Sequence, residues 1–248
     1  MPKPGPRPVL VPGLGLDERS SARLRELLPA DVVLLPGMGL PGPVPPLEEL
    51  AAGLRAGLGE GPVLLVGHSQ SCQVAAAAAG DPRVAGLVLL GPTTDPRLRS
   101  AAGLVRRWVA TAVRERWPHA LLALPQWRRT GPRAMRQLWA VASPDRIDAR
   151  LRVVRVPVTV VRGTRDRLCP HDWVAAVTAA APDGRLVEIP GAAHLTPMTH
   201  PEQVAARVEE FEDAGVELLL LQCSPQLEEM ERFAAEVIRR RGAQSAGA

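Results

Sequence analysis

Val63-Leu64-Leu65-Val66-Gly67-His68-Ser69-Gln70-Ser71, running on into Cys72-Gln73-Val74-Ala75-Ala76-Ala77-Ala78-Ala79, is the stretch whose reading decides the fold. Four apolar residues without a polar interruption predict a strand buried on both faces. The Ala-rich run from Cys72 to Ala79 predicts a helix. Between them, Gly67 and Ser71 flank Ser69 at minus two and plus two. A nucleophile on a sharp strand-to-helix turn needs small neighbours at both places, because the backbone there is strained and crowded. The common form has Gly at plus two, and Ser71 departs from it while staying small. The following helix directs its first N–H groups at the turn, which favours developing negative charge. An ordinary strand-to-helix turn with an N-cap serine uses the same residue types, so the stretch alone leaves both readings open.

The same alternation extends outward. Val9-Leu10-Val11 stops at Pro12-Gly13, and Val32-Val33-Leu34-Leu35 stops at Pro36-Gly37. Both read as buried strands ended by turns. Leu87-Val88-Leu89-Leu90, Val158-Thr159-Val160-Val161 and Leu186-Val187-Glu188-Ile189 add three more strands. Helical spacing appears at Ser20–Leu28 and at Leu47–Leu58, the latter placing Leu47, Leu50, Leu54 and Leu58 on one face. A Pro/Gly-rich loop, Gly39 to Pro46, precedes the second of these. Strands alternating with helices predict an α/β fold with a mostly parallel sheet covered on both faces.

Residues 96–150 break the rhythm. They hold no clear strand and read as helices separated by Pro118, Pro125, Pro132 and Pro144. Four of the five Trp lie here: Trp108, Trp117, Trp127 and Trp139. From Asp95 to Arg150 there are twelve Arg against four acidic residues. The segment reads as a helical cap between two sheet strands. The division expected is therefore a core of 1–95 and 151–211, a cap of 96–150 and an extension of 212–248.

The bulk numbers exclude several classes. The chain's 248 residues, 46% hydrophobic and 23% charged, suit one soluble domain with an insertion. With no Tyr and two Phe, the core has to be filled by Leu, Val and Ala. The net charge of +4 comes without a nucleic-acid-binding motif, so nucleic acid is not an expected partner. Three cysteines, Cys72, Cys169 and Cys223, in no regular spacing argue against a disulfide framework or a zinc site. No apolar stretch has the length of a signal peptide core or a membrane span, so a cytoplasmic location away from membranes is expected.

A reactive serine needs a base and an orienting acid. Val158 to Val161 leads into Arg162-Gly163-Thr164-Arg165-Asp166, and Leu186 to Pro190 leads into Gly191-Ala192-Ala193-His194. Asp166 and His194 thus sit just past the C-terminal ends of strands, where open parallel sheets place their sites. Each could instead be an ordinary loop residue; the order serine, acid, histidine at three strand ends is what connects them. Acyl transfer also needs backbone donors for an oxyanion. Pro12-Gly13-Leu14-Gly15 follows the first strand, and the N–H of Leu14 with that of Gln70 would form the hole.

PGLG at 12–15, GHSQS at 67–71, RGTRD at 162–166 and GAAHLTPMTHPEQV at 191–204 together make residues 8–211 resemble the α/β-hydrolase superfamily. The resemblance implies Ser69 as nucleophile, Asp166 as acid and His194 as base. It also implies a helical cap at 96–150, a small-molecule substrate and no cofactor or metal. A carboxylic ester or lactone is the first substrate class. Cofactor-free perhydrolase, carbon–carbon hydrolase or lyase chemistry is the alternative on this fold, and a non-catalytic scaffold is a third. Ser69 disfavours relatives with an Asp nucleophile. Asp95 occupies a second position that some relatives use for the acid and ranks below Asp166.

Other residues have blander readings. His68 is expected to point away along the turn. His119 reads as a surface residue of the cap, and His200 as a helix-start residue before Pro201. Cys72 reads as a small buried residue, and Cys169 has no assigned role. Trp108, Trp117, Trp127 and Trp139 are candidates for lining an apolar substrate pocket, with plain cap packing the equal alternative. Beyond Phe211, Val216 to Leu221 reads as a strand. Ser224-Pro225 opens an amphipathic helix with Leu227, Met230, Phe233, Ala234 and Val237 on one face. The stretch GVELLLLQCSPQLEEMERFAAEVI is similar to the C-terminal end of luciferase-like flavin monooxygenases. With the rest of such a barrel absent, a flavin site is not carried over. A structural role, or self-association into a homo-oligomer, is expected of it.

Overall fold

The computed structural model describes residues 5–98, 101–115 and 117–214, with backbone alone at 98, 101, 102, 104, 117–120 and 211–214. The expected strand and helix of 216–239, the Trp117 and His119 side chains and Cys223 lie outside the described residues. The chain divides into two units, Met1–Glu212 and Asp213–Ala248, and every side chain described below belongs to the first.

Six strands form one parallel sheet in the order β2-β1-β5-β6-β7-β8. They are β1 (Arg7–Val11), β2 (Asp31–Val32), β5 (Val63–His68), β6 (Val84–Leu90), β7 (Val158–Gly163) and β8 (Gly184–Ile189). β5 is buried at every position, as its unbroken apolar run predicts. The side chains of this sheet alternate between two cores. Val63, Leu65, Leu87 and Leu89 face one side. There they meet α2 (Leu47–Ala56), α3 (Ser71–Ala78) and α8 (His171–Ala180). Leu64, Val66, Val88 and Leu90 face the other, against Leu24 of α1 (Ala22–Leu27) and Val204 and Val208 of α10 (Pro201–Ala214). Each large side chain so buried is worth about 1.5–3 kcal/mol.

The Val32–Leu35 run departs from its expected single strand. Only Asp31–Val32 pairs with β1, while β3 (Leu35–Pro36) and β4 (Gly39–Leu40) form a separate two-stranded piece. Pro36 has no N–H for a ladder, and the turn at Gly37, with φ of +82°, redirects the chain.

Four helices fill the space in sequence between β6 and β7. They are α4 (Ala101–Ala112), α5 (Trp117–Thr130), α6 (Pro132–Ala142) and α7 (Ile147–Leu151). Pro125 does not separate helices: it lies inside α5. The residue one turn before it, Leu121, is 45% exposed, so the carbonyl that loses its partner can turn to solvent. Among the described residues no helix is long and apolar enough to cross a membrane.

Candidate active site

Ser69 stands at the end of β5 with φ of +58°, a left-handed conformation that only one other described non-glycine residue, Thr94, shares. For an L-residue this costs about 1–2 kcal/mol and has to be imposed by its surroundings. The Ser69 N–H donates to Leu90 O on β6 (2.8 Å), and Cys72 N–H returns to Ser69 O (3.2 Å). Ser71 then explains its own departure from glycine. Its Oγ accepts from the His68 N–H at 2.7 Å and has Val11 O at 2.7 Å and His68 O at 2.9 Å for its one proton. The extra hydroxyl stitches the turn to the end of β1.

The structure brings Ser69, His194 and Asp166 together. His194 Nε2 lies 2.9 Å from Ser69 Oγ, and His194 Nδ1 lies 2.6 Å from Asp166 Oδ2. The second contact assigns the ring proton to Nδ1, leaving Nε2 free to accept from the serine hydroxyl. Asp166 Oδ1 accepts from the N–H groups of Leu168 (2.8 Å) and Cys169 (3.1 Å). Burial opposes charge on both partners, yet their mutual attraction prevails. His194 is raised above the usual imidazole value and Asp166 is held below the usual carboxylate value, helped by those two amides. Asp95 lies elsewhere, buried and bonded to Arg97 (2.7 Å).

Loop 12–15 runs against this turn: a methyl group on Gly13 would stand 3.1 Å from Ser69 Cβ. Among the described residues neither the Leu14 nor the Gln70 N–H has a hydrogen-bond partner. Both ends of the Gln70 carboxamide are also buried without a partner among the described residues. Leaving such a group unmet costs about 1–3 kcal/mol.

His68 does not point away. Its ring centroid is 5.2 Å from that of His194, and its Nε2–H donates to His194 O at 2.9 Å. Burial, with His194 close by, pushes its pKa down to about 3, so it is a neutral donor. Sequence reasoning looked past it because a turn diagram ignores the loop that folds back from β8. It missed two glycines for the same reason. A methyl on Gly163 would meet the carbonyl oxygens of Ala192 and Ala193 at 2.3 Å. One on Gly91, whose φ is +58°, would press on His194 Nδ1 at 3.2 Å and Asp166 Oδ2 at 3.3 Å. A glycine at the very end of a strand (Gly163) or directly after one (Gly91) was the available signal. Cys169 also gains a place: its N–H holds Asp166, and its Sγ lies 2.9 Å from Pro92 O. Burial pushes the Cys72 and Cys169 thiols up, away from reactivity. Among the described residues no cluster of His, Cys, Asp or Glu could hold a metal ion.

Helix α5 touches the chain after β1, Thr130 Oγ1 donating to Gly15 O (3.1 Å) and Gln126 Oε1 accepting from Asp17 N (2.9 Å). Trp127 packs over Gly15 and meets Trp108 ring to ring at 5.9 Å. The structure thus pairs two of the predicted tryptophans. Trp139, half-buried on α6, has no ring contact with them among the described residues.

Residues 9–207 match the alpha/beta hydrolase family. Over 84% of its length the chain is 29% identical to a polyketide synthase, ThaQ of Burkholderia thailandensis, and it spans only 12% of that much longer protein. A hydrolase from Oleispira antarctica superposes with a TM-score of 0.70 at 15% identity, covering 84% of this chain and 91% of that one. An esterase from Rhodococcus does so with a TM-score of 0.64 at 18% identity, covering 84% and 90%. At such identities the likeness is one of fold.

Proposed function

The chain belongs to the alpha/beta hydrolase family, and on that premise we propose that it is a serine hydrolase cleaving small-molecule carboxylic esters or lactones. The observation that carries this reading is the unbroken run of hydrogen bonds from Ser69 Oγ through His194 to Asp166, at 2.9 and 2.6 Å. His194 Nε2 takes the hydroxyl proton while Ser69 Oγ attacks the substrate carbonyl. Asp166 holds the tautomer and stabilises the imidazolium that forms. The N–H groups of Leu14 and Gln70 receive the tetrahedral oxyanion. His194 then returns the proton to the departing alcohol oxygen, leaving an acyl-serine. Water, deprotonated by the same Nε2, cleaves that acyl-serine and restores the hydroxyl. The helices of 96–150 act as the cap, with Trp108 and Trp127 against the apolar part of the acyl group.

Similarity to part of a polyketide synthase favours a second form of the same chemistry, in which the acyl group is of polyketide type. Turnover of short p-nitrophenyl esters, set against longer acyl esters and thioesters, separates the two. A fluorophosphonate probe tests the shared core: Ser69 is labelled in the wild type, and Ser69→Ala abolishes labelling and lowers kcat by about 10⁶-fold with the fold intact. A folded wild-type protein that resists the probe contradicts the proposal.

A further inference from the structure

We infer that Glu115, in the turn after α4, is a positioning residue for His194, so that the base is competent only while this part of the cap is docked. The inference rests on the serine-hydrolase reading above. His194 lies in a loop, outside any ladder that would fix its backbone. Besides Ser69, three side chains hold the residue, one by its ring and two by its backbone. Asp166 takes the ring Nδ1–H, and the His68 ring donates to its carbonyl. The third is Glu115, whose Oε1 accepts from the N–H of His194 at 2.6 Å and of Leu195 at 2.8 Å. Only Glu115 comes from the cap.

The same stretch of cap also holds the acid loop. Thr111 Oγ1 accepts from Arg167 N (3.1 Å), one residue past Asp166, and Arg107 donates to Arg167 O (3.3 Å). One helix and its following turn therefore tie together the two loops that carry Asp166 and His194. Glu115 is fixed in turn by its own N–H, which is shared between Thr111 O (3.1 Å) and Ala112 O (3.2 Å). Burial raises the Glu115 carboxyl, against the pull of the two amides and of His194. Its charge in turn favours the protonated form of His194, alongside the larger effect of Asp166. The titratable or charged groups around the pair are His68 and Asp166 against His194, and Arg114, Arg165 and His200 around a cavity of about 310 Å³ that Glu115 and Ala193 also line.

The test measures the second-order rate of fluorophosphonate labelling against pH for the wild type, Glu115→Gln and Glu115→Ala, with thermal unfolding run in parallel. A histidine displaced by a fraction of an ångström from its serine loses roughly tenfold to a hundredfold in rate. That fall is expected for Glu115→Ala. Glu115→Gln keeps the shape and an acceptor but drops the charge, so a smaller fall is expected, with the acid midpoint moved to lower pH. A purely structural side chain would lower the melting temperature and leave that midpoint alone. Wild-type rate and midpoint in folded Glu115→Gln overturn the inference, whatever becomes of the alanine variant. A wild type that the probe does not label defeats the hydrolase reading instead. In that event the His194 C2–H titration by NMR still decides the clamp, with an unchanged midpoint in Glu115→Gln counting against it.

Discussion

The strand ends and helices α4 and α5 meet around Ser69, and they are packed differently. β5 and β7 bury every side chain, and β6 every one but Ala85. Helices α4 and α5 leave Val105, Val109, Leu121, Leu122 and Leu124 about half exposed. A central parallel strand has neighbours at both edges and on both faces, so its register fixes the loop at its end. Helices α4 and α5 touch the site through Trp127 over Gly15 and through polar ties: Thr130 to Gly15, Gln126 to Asp17, Thr111 to Arg167 and, in the turn after α4, Glu115 to His194. The contrast separates two tasks. Cooperative packing, hard to perturb without unfolding, sets the strand ends and also holds α6 and α7, whose Leu138, Ile147 and Leu151 sit in the same core, while α4 and α5 reach the loops through ties that can be removed one at a time.

Substitutions can break that contrast. Asp166→Asn attacks the sheet side and should show the largest effect of those considered in this comparison. It removes the charge that holds the His194 tautomer, and kcat should fall by about 10⁴-fold. It should also move the pH profile. If His194 is the base, it has to be neutral, and since its pKa is raised the wild-type kcat/KM should be lost as pH falls through a value above that of an ordinary imidazole. Without the carboxylate, burial prevails and the acid limb shifts downward; a limb that stays put speaks against Asp166 as the partner.

Two glycines compare the regions in stability. Gly163→Ala drives a methyl into two carbonyl oxygens and should destabilise by about 3 kcal/mol, at the upper end for overpacking. Gly131→Ala, before α6, has φ of +84° but nothing within 4 Å of the new methyl. Only the backbone cost remains there, about 1–3 kcal/mol for a residue at φ 84° and ψ 144°. Denaturant midpoints give both numbers, and equal values would erase the distinction. The smallest effect belongs to Trp108→Ala, on an exposed cap position. It should leave kcat for short acyl esters unchanged and raise KM for long ones by about tenfold, the scale of a pocket contact. A loss of kcat on short esters would instead give the cap a part in the chemistry.

Much of this was legible in the chain. The apolar runs at 63–66 and 87–90 have no polar residue to turn outward, and 158–161 has only Thr159, which the sheet buries, so a doubly covered sheet accommodates them. The runs at 63–66, 158–161 and 186–189, each followed by a small or glycine-containing loop, bring Ser69, Asp166 and His194 to one end of the sheet. The edge strand at Val32 to Leu35 was misread because four apolar residues score alike whether the ladder continues or Pro36 ends it. Pro125 was misread because a proline on an exposed helix face is tolerated where one in the core is not.

The sequence by itself determined the layers, the strand order's consequence for which loops converge, and the residue types that meet there, because periodicity and turn chemistry are local properties. Only the tertiary structure decided that His68 turns its ring onto His194, that Ser71 ties the turn to Val11, and that Glu115 reaches from the cap to the His194 backbone. Those contacts join residues 60 to 126 positions apart. No local pattern encodes such a distance; it exists once the sheet has brought the strand ends to within hydrogen-bond reach.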